Sequence, residues 1–313
     1  MIKYLFNKLL FTLGVLLSVS LITFILSFVL PSDPARALLG IQADESAIEG
    51  IRKELKLDKP LPVQYWEFLK RLSRGDLGRS YITNRDVKSL IAERFAATFK
   101  LAIFAITVAT ILGIAVGSFA VYTNSTAVYK FLTSLSVIFA SVPIFFLGLL
   151  VSLFIGSYLK LLPISGYEPG LKGIKYIILP GITLSIYPIA LIARLTASRL
   201  REIMESDYVK AHFAMGIKRW KIVLILALRN AMNPVITVIG NSVAILLSGA
   251  FFVEYIFSWP GIGLLWVDSV LRYDFPVIIG IVMFSAMVFV VVSMVMDLLY
   301  PVIDPRIRMA QTQ

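Results

Sequence analysis

His212 is the single histidine of a 313-residue chain that contains no cysteine. Thiolate metal sites, disulfides and Cys-His nucleophile centres therefore lack the residues to build them, and a Ser-His centre is nearly excluded, with His212 alone to draw on. One imidazole has no ligand of its own kind beside it, so His212 is read as a neutral or interfacial side chain, with no metal site expected. The phosphate cradle Gly-x-x-x-x-Gly-Lys-Ser/Thr is also missing from the chain, and with it the backbone nest that holds nucleotide phosphates. No catalytic residue and no cofactor-binding residue is expected, and the chain is read as no enzyme. If ATP drives a process in which this chain takes part, another subunit must hydrolyse it.

The residues left to do physical work lie in a polar island, Arg199 to Asn230, set between two long apolar runs. Asp207 can cap a helix start, and Met204, Tyr208, Ala211 and Met215 recur at spacings of four, three and four, one helical stripe. Gly216 falls where a helix would stop, because glycine takes the left-handed conformation without steric penalty. Lys218, Arg219, Trp220 and Lys221 then lead into a second helix. This basic cluster is open to two readings, an anchor at an anionic membrane surface or a direct protein contact. The island predicts helix, glycine turn and helix, outside the bilayer and shaped for another protein to grip.

The elements that position this island are membrane spans. Apolar residues make up 58% of the sequence, the mean hydropathy is +0.85, and both lie far above the soluble average of roughly half apolar. The net charge of +11 is assigned to anionic lipid and topology, with no nucleic acid as partner. Leu9 to Leu30 carries no charge over 22 residues, roughly 33 Å of helix against a hydrocarbon core of about 30 Å. It reads as an uncleaved first helix, since the run is too long for a signal-peptide core. Further spans are predicted at 101–122, 131–158, 176–197, 231–253 and 277–296, six in all. Gly113 and Gly117 have the spacing of a close helix crossing. The third span is expected to break near Pro143, and Pro180 and Pro188 place the fourth inside the bundle, where freed carbonyls find partners. Asn230, Asn233 and Asn241 mark the fifth, as bonds between helices or as solute contacts. Glu254 to Asp274 cannot span, because Trp259-Pro260-Gly261 forces a turn, and Trp266 suits an interface.

Between the first two spans, residues 31–97 are different material. From Pro31 to Phe99 there are 12 Lys/Arg and 10 Asp/Glu, with one helix expected from Asp44 through Leu55 and another opened by Pro60 and Pro62. Either a small helical subdomain or a solvated loop with helical fragments fits this pattern. Short loops decide the topology. With the amino terminus inside, twelve Lys/Arg lie on the inner side (Lys3, Lys8, Lys130, Arg199, Arg201, Lys210, Lys218, Arg219, Lys221, Arg229, Arg306 and Arg308), against four outside (Lys160, Lys172, Lys175 and Arg272). Both termini and the island are thus expected in the cytoplasm and residues 31–97 outside. The spans are almost free of charge, with Arg194 and Asp297 only near inner ends. That speaks against an ion-gradient-driven secondary transporter, which keeps buried ionisable groups for coupling.

The stretch Asp207 to Gly216, with Ala211 five residues before the glycine, resembles the cytoplasmic coupling loop of ABC-importer permeases. Lys210 stands where that loop's glutamate is expected, His212 at its second alanine and Arg229 in place of a proline. Two more segments, Glu254 to Gly263 with its Trp259-Pro260-Gly261-Ile262-Gly263, and Leu298 to Arg308 with its Asp304-Pro305-Arg306, resemble the peptide/nickel (dipeptide/oligopeptide) branch, as does Gly75-Asp76-Leu77-Gly78-Arg79-Ser80. The resemblance implies an all-α integral membrane protein with six transmembrane helices in the type I ABC importer permease fold. Its parts are an N-terminal helix (1–30), an extracytoplasmic helical subdomain (31–97), a permease core (98–300) with a coupling loop at 199–230, and a cytoplasmic tail (301–313). It implies, as partners, a second homologous permease, two ATP-binding subunits that bind ATP and Mg, an extracytoplasmic solute-binding protein and the lipid of a prokaryotic inner membrane. Asp207, Tyr208, Lys210, Ala211, His212, Met215, Gly216 and Lys218 become the ATPase-coupling residues. Peptides are the expected solute, with nickel or its chelates, glutathione-like compounds and sugar conjugates as alternatives. Residues 31–97 are either a landing surface for the binding protein or a cap on the bundle.

Overall fold

The computed structural model describes residues 2–29, 44, 46, 48–50, 59–248 and 250–303. Eleven helices are numbered here: α1 (Ile2–Val29), α2 (Leu61–Ser73), α3 (Val87–Tyr122), α4 (Thr126–Ser141), α5 (Ile144–Tyr158), α6 (Ile174–Met204), α7 (Asp207–Ala214), α8 (Arg219–Ser248), α9 (Phe251–Ile256), α10 (Ile262–Leu271) and α11 (Phe275–Ile303). Among the described residues there is no strand, only an isolated antiparallel bridge from Arg79 to Asp86. Four helices, α3, α6, α8 and α11, are long and apolar enough to cross a membrane, and the bent pair α4–α5 makes up to five. Within α1, Leu10–Ile25 is a further apolar stretch. Five of the six expected spans, counting the bent pair as one, thus have counterparts among the described residues that are long and apolar enough to cross, and the first is matched only by the shorter apolar stretch of α1. The fifth is displaced: α8 begins at Arg219 and ends at Ser248, and Phe251 starts a separate helix after a non-helical Ala250. The expected Asp44–Leu55 helix and Asp304-Pro305-Arg306 lie wholly or mostly outside the described residues.

Backbone chemistry explains the breaks. Val142 precedes Pro143, and the proline ring disfavours helical geometry in the residue before it. Val142 is accordingly extended, Pro143 caps α5, and α4 and α5 meet at 101°. Pro180 and Pro188 are carried inside α6 and are both buried.

The chain divides into two compact units, Met1–Ala97 with Pro260–Val290, and Thr98–Trp259 with Val291–Gln313. In the first, α2 is fastened along α1 by an aromatic trio, Phe24, Tyr65 and Phe68, and by a 2.8 Å hydrogen bond between the Tyr65 and Ser20 hydroxyls. The loop before α3 is held by Asp274, 4% exposed, which accepts hydrogen bonds from the Ser80 hydroxyl and the Tyr81 amide. Ser80 in turn accepts from the Thr83 amide, so this buried carboxylate organises a turn almost two hundred residues away. Burial pushes the Tyr81 phenol above its ordinary range, outweighing the opposing pull of Arg71, with the nearby Asp274 charge adding a smaller push in the same direction as burial.

In the second unit α6 is the central helix. Over half of its apolar window is buried (56%), against a third or less for the other three long helices. The Gly113–Gly117 pair sets its crossing with α3: a Cβ on Gly117 would stand 2.5 Å from the Ala193 carbonyl oxygen, and one on Gly113 2.7 Å from Ile192. Ala109, Ile192 and Val235 continue that seam into α8. Glu254, fully buried, accepts a 2.8 Å hydrogen bond from the Thr98 hydroxyl.

Candidate functional site

The polar island folds as a short helix between two long ones. α6 ends at Met204, and Glu205 and Ser206 turn the chain before α7. Ser206 holds the N-cap position in extended geometry, while Asp207 is the first residue inside the helix. This corrects the expectation that Asp207 caps. Its charge still favours the first turn by interacting with the helix dipole, and it accepts a 2.9 Å bond from Lys210 one turn on. Both groups are well exposed, so the pair itself adds little stability.

The expected stripe of Met204, Tyr208, Ala211 and Met215 is not the seated face. The chain breaks between Met204 and Tyr208, and Val209, at 0% exposure, is the residue α7 buries. Met204 ends α6 packed against the buried cluster that holds Leu200 and Val223, whereas Met215 is 66% exposed and Ala211 is exposed, as are the neighbouring Lys210 and Ala214. Tyr208 joins helices, since its hydroxyl accepts a 3.0 Å bond from the Asn230 side-chain amide on α8. His212 packs edge-on against the Tyr208 ring, and its Nδ1 lies 2.6 Å from the Tyr208 carbonyl. Since that carbonyl only accepts, Nδ1 carries a proton. Among the described residues no group of three or more His, Asp or Glu converges as a metal site would require.

Gly216 closes α7 with φ of +76°. The Ile217 amide donates to the His212 carbonyl and the Gly216 amide to that of Phe213, the paired bonds of a Schellman motif. No atom lies within 4 Å of where a Cβ would stand, so backbone conformation alone requires glycine. Lys218, exposed, precedes the start of α8.

The residue that sequence reasoning misplaced is Arg219. Grouped there with Lys218, Trp220 and Lys221 as a surface cluster, its guanidinium instead donates to the carbonyls of Val121 and Tyr122, both at 2.9 Å, and to the Asn124 side chain at 3.0 Å. A cation at the last carbonyls of α3 satisfies orphan acceptors and the negative end of that helix's dipole. The signal was present in Tyr122-Thr123-Asn124, a helix end whose Asn124 takes φ of +55°, but nothing local to Arg219 points to it. Trp220 and Lys221 remain exposed, the ammonium 5.6 Å from the indole. Beside Arg219 an open cavity of about 280 Å³ is lined by Tyr129, Arg201, Met204 and Phe213, and the Arg201 guanidinium lies 4.7 Å from the Tyr129 ring centre. Downstream of Arg219, Ile222–Ala227 is π-helical, a form of helix frequent at functional sites.

α7 is thus a short, capped helix with an outward apolar and basic face. Val209 is its buried residue and Tyr208 ties it to α8, while Arg219, two residues beyond the Gly216–Ile217 turn, ties α8 to the end of α3.

The second motif forms a turn. The Trp259 amide donates to the Glu254 carbonyl, and its indole is 3% exposed, edge-on to Tyr167 at 5.1 Å. Pro260 follows, Gly261 caps α10, and Gly263 is buried in that helix. Trp266 is half-buried in α10.

Comparison with known proteins supplies independent findings. Residues 86–309 match the family described as the binding-protein-dependent transport system inner membrane component, and residues 1–102 its N-terminal membrane component. The chain is 37% identical over 308 residues to a glutathione transport system permease protein of Pectobacterium atrosepticum, covering 98% of this chain and 99% of that one. It is 35% identical over 332 residues to a dipeptide transport system permease protein of Alkalihalophilus pseudofirmus, covering 98% and 100%. A putative peptide transport system permease protein of Brucella abortus is 35% identical over 298 residues, covering 94% and 95%. Among solved structures, an inward-facing MetNI methionine ABC transporter chain superposes with a TM-score of 0.57 at 16% identity, over 69% of this chain and 97% of that one.

Proposed function

Since the chain belongs to the family of inner-membrane components of binding-protein-dependent transport systems, we propose that it forms half of the pathway of an ATP-driven importer for peptides or peptide-like solutes such as glutathione. The chain is a multi-pass membrane permease and not an enzyme. A second permease supplies the other half of the pathway, and two separate subunits bind ATP and Mg. A solute-binding protein delivers the cargo from outside, and residues 31–97 offer it a landing surface. Both termini and the α6–α8 island face the cytoplasm, in keeping with the twelve-to-four distribution of Lys/Arg.

One observation supports the mechanism above the others: α7 presents an exposed face while Val209 is buried, the Tyr208–Asn230 bond and the Gly216 turn hold it to α8, and Arg219 ties α8 to α3. Closure of the ATPases around nucleotide moves α7 as a rigid lever. The movement passes through Tyr208–Asn230 into α8 and through Arg219 into α3, and shifts the pathway between outward and inward access. A stiff element with different contacts in the two states is the physical requirement for such a switch. Relatives named for glutathione and for dipeptides support a solute carrying peptide bonds. The test is purification under mild detergent: two ATPases and one related permease are expected to accompany the chain, with ATP hydrolysis stimulated by a peptide-loaded binding protein. A solitary chain that accumulates peptide along an ion gradient would overturn the proposal.

A further inference from the structure

Along α8, Asn230, Asn233, Thr237 and Asn241 recur at intervals of three, four and four residues, which places them on one face of the helix. The stripe extends over about 16 Å, half a hydrocarbon core. Asn230, Asn233 and Asn241 are exposed, whereas residues of the other faces, Val235 at 0% and Ser242 at 6%, are buried. The Ser242 hydroxyl is returned to its own helix at the Val238 carbonyl. Side-chain amides on an exposed face at membrane depth do not face lipid, because desolvating them in hydrocarbon is costly; they face protein or a water-filled passage. At the lower end of the stripe Asn230 donates to Tyr208 of α7.

We infer that this stripe is a solute-contact surface of the pathway that reads main-chain amides. A carboxamide both donates and accepts hydrogen bonds and carries no charge. It therefore pairs with the C=O and N–H of any peptide bond, whatever side chains the cargo bears, and holds no ion in place. Movement of α7 through Tyr208 turns the same face, so the contact is made in one state and withdrawn in the other. The inference rests on the reading of the chain as a peptide permease and adds to it the surface that meets the cargo.

The absence of cysteine makes the test direct. Single cysteines at Asn233, Thr237 and Asn241, with Val235→Cys as a buried control and Ile111→Cys, 62% exposed on α3, as a lipid-facing one, are placed in the chain purified with whatever subunits accompany it in nanodiscs. Each is treated with a charged, water-soluble methanethiosulfonate and with a lipid-soluble maleimide. The stripe is expected to react with the charged reagent at least about tenfold faster than Ile111→Cys, as water access requires, and millimolar trialanine is expected to slow that reaction where the same concentration of glucose does not. Reaction with the maleimide alone marks a lipid face, reaction with neither marks a seam with the second permease, and water access without protection by trialanine denies an amide-reading surface; each overturns the inference. Failure of the importer reading is seen separately, as ATPase subunits missing from the preparation.

Discussion

Replacing Gly216 isolates what the turn contributes to coupling. Its φ of +76° lies in the left-handed region, which costs an L-residue about 1–2 kcal/mol. No neighbour within 4 Å would meet a new Cβ, so no packing penalty is added and the backbone term stands alone. A β-branched side chain lies at the upper end of that range or beyond it, and asparagine, which visits this region, at the lower end. A cost near 2 kcal/mol changes the population of the native turn by about thirtyfold, releasing the Ile217-to-His212 and Gly216-to-Phe213 bonds and with them the fixed angle between α7 and α8. Solute uptake per ATP hydrolysed in proteoliposomes is the assay. Gly216→Val is expected to retain assembly and hydrolysis while losing most uptake, Gly216→Ala to fall between, and Gly216→Asn to approach the native ratio. Normal coupling in the valine variant, or asparagine as damaging as valine, would refute the reasoning.

Arg219→Met removes three hydrogen bonds to the end of α3 and is expected to cost about 1–3 kcal/mol and to lower coupling. Arg219→Lys should not restore it, because an ammonium cannot reproduce the fork; thermal unfolding and uptake per ATP measure both. Gly117→Val drives a side chain into the Ala193 carbonyl and Thr196 and is expected to cost at least about 1–3 kcal/mol, read as a lower melting temperature and poor recovery from detergent. The raised pKa of Tyr81 means that the folded state holds the phenolic proton where the unfolded chain has lost it. Stability from this group is therefore complete below the unfolded value of about 10 and falls as pH rises toward the folded one. Tyr81→Phe should flatten the loss of melting temperature above that pH, and an unchanged slope would assign the loss elsewhere.

Much of the architecture could be read before any coordinates, because local chemistry dictates it. Pro143 disfavours helix at Val142, the φ of Gly216 favours glycine, and the four-residue spacing of Gly113 and Gly117 allows a close crossing. The helix end at Ser248 was harder, since the sequence stays apolar through Phe251, Phe252 and Val253 and hydropathy does not register a turn. Contacts between distant parts of the chain were out of reach. Arg219 bonds to residues 95 to 98 positions away, Ser80 to Asp274 across 194 and Thr98 to Glu254 across 156. An arginine among other basic residues is indistinguishable from them until its acceptor is known. The buried face of α7 is hard to read for a related reason: periodicity identifies an apolar stripe but not which side of the helix the fold covers, and here the covered residue is Val209.

In the proposed mechanism force enters this subunit at α7 from a separate ATPase. Cysteines introduced singly at Lys210 and Met215, in a chain that has none of its own, allow crosslinking to the ATPase subunits in right-side-out and inverted vesicles. The account predicts crosslinks to an ATPase whose yield changes between nucleotide-free and ATP-trapped states, with both positions reached by impermeant reagents only from the cytoplasmic side. Labelling of Lys210→Cys from outside intact cells, or crosslink yields indifferent to nucleotide, would contradict it.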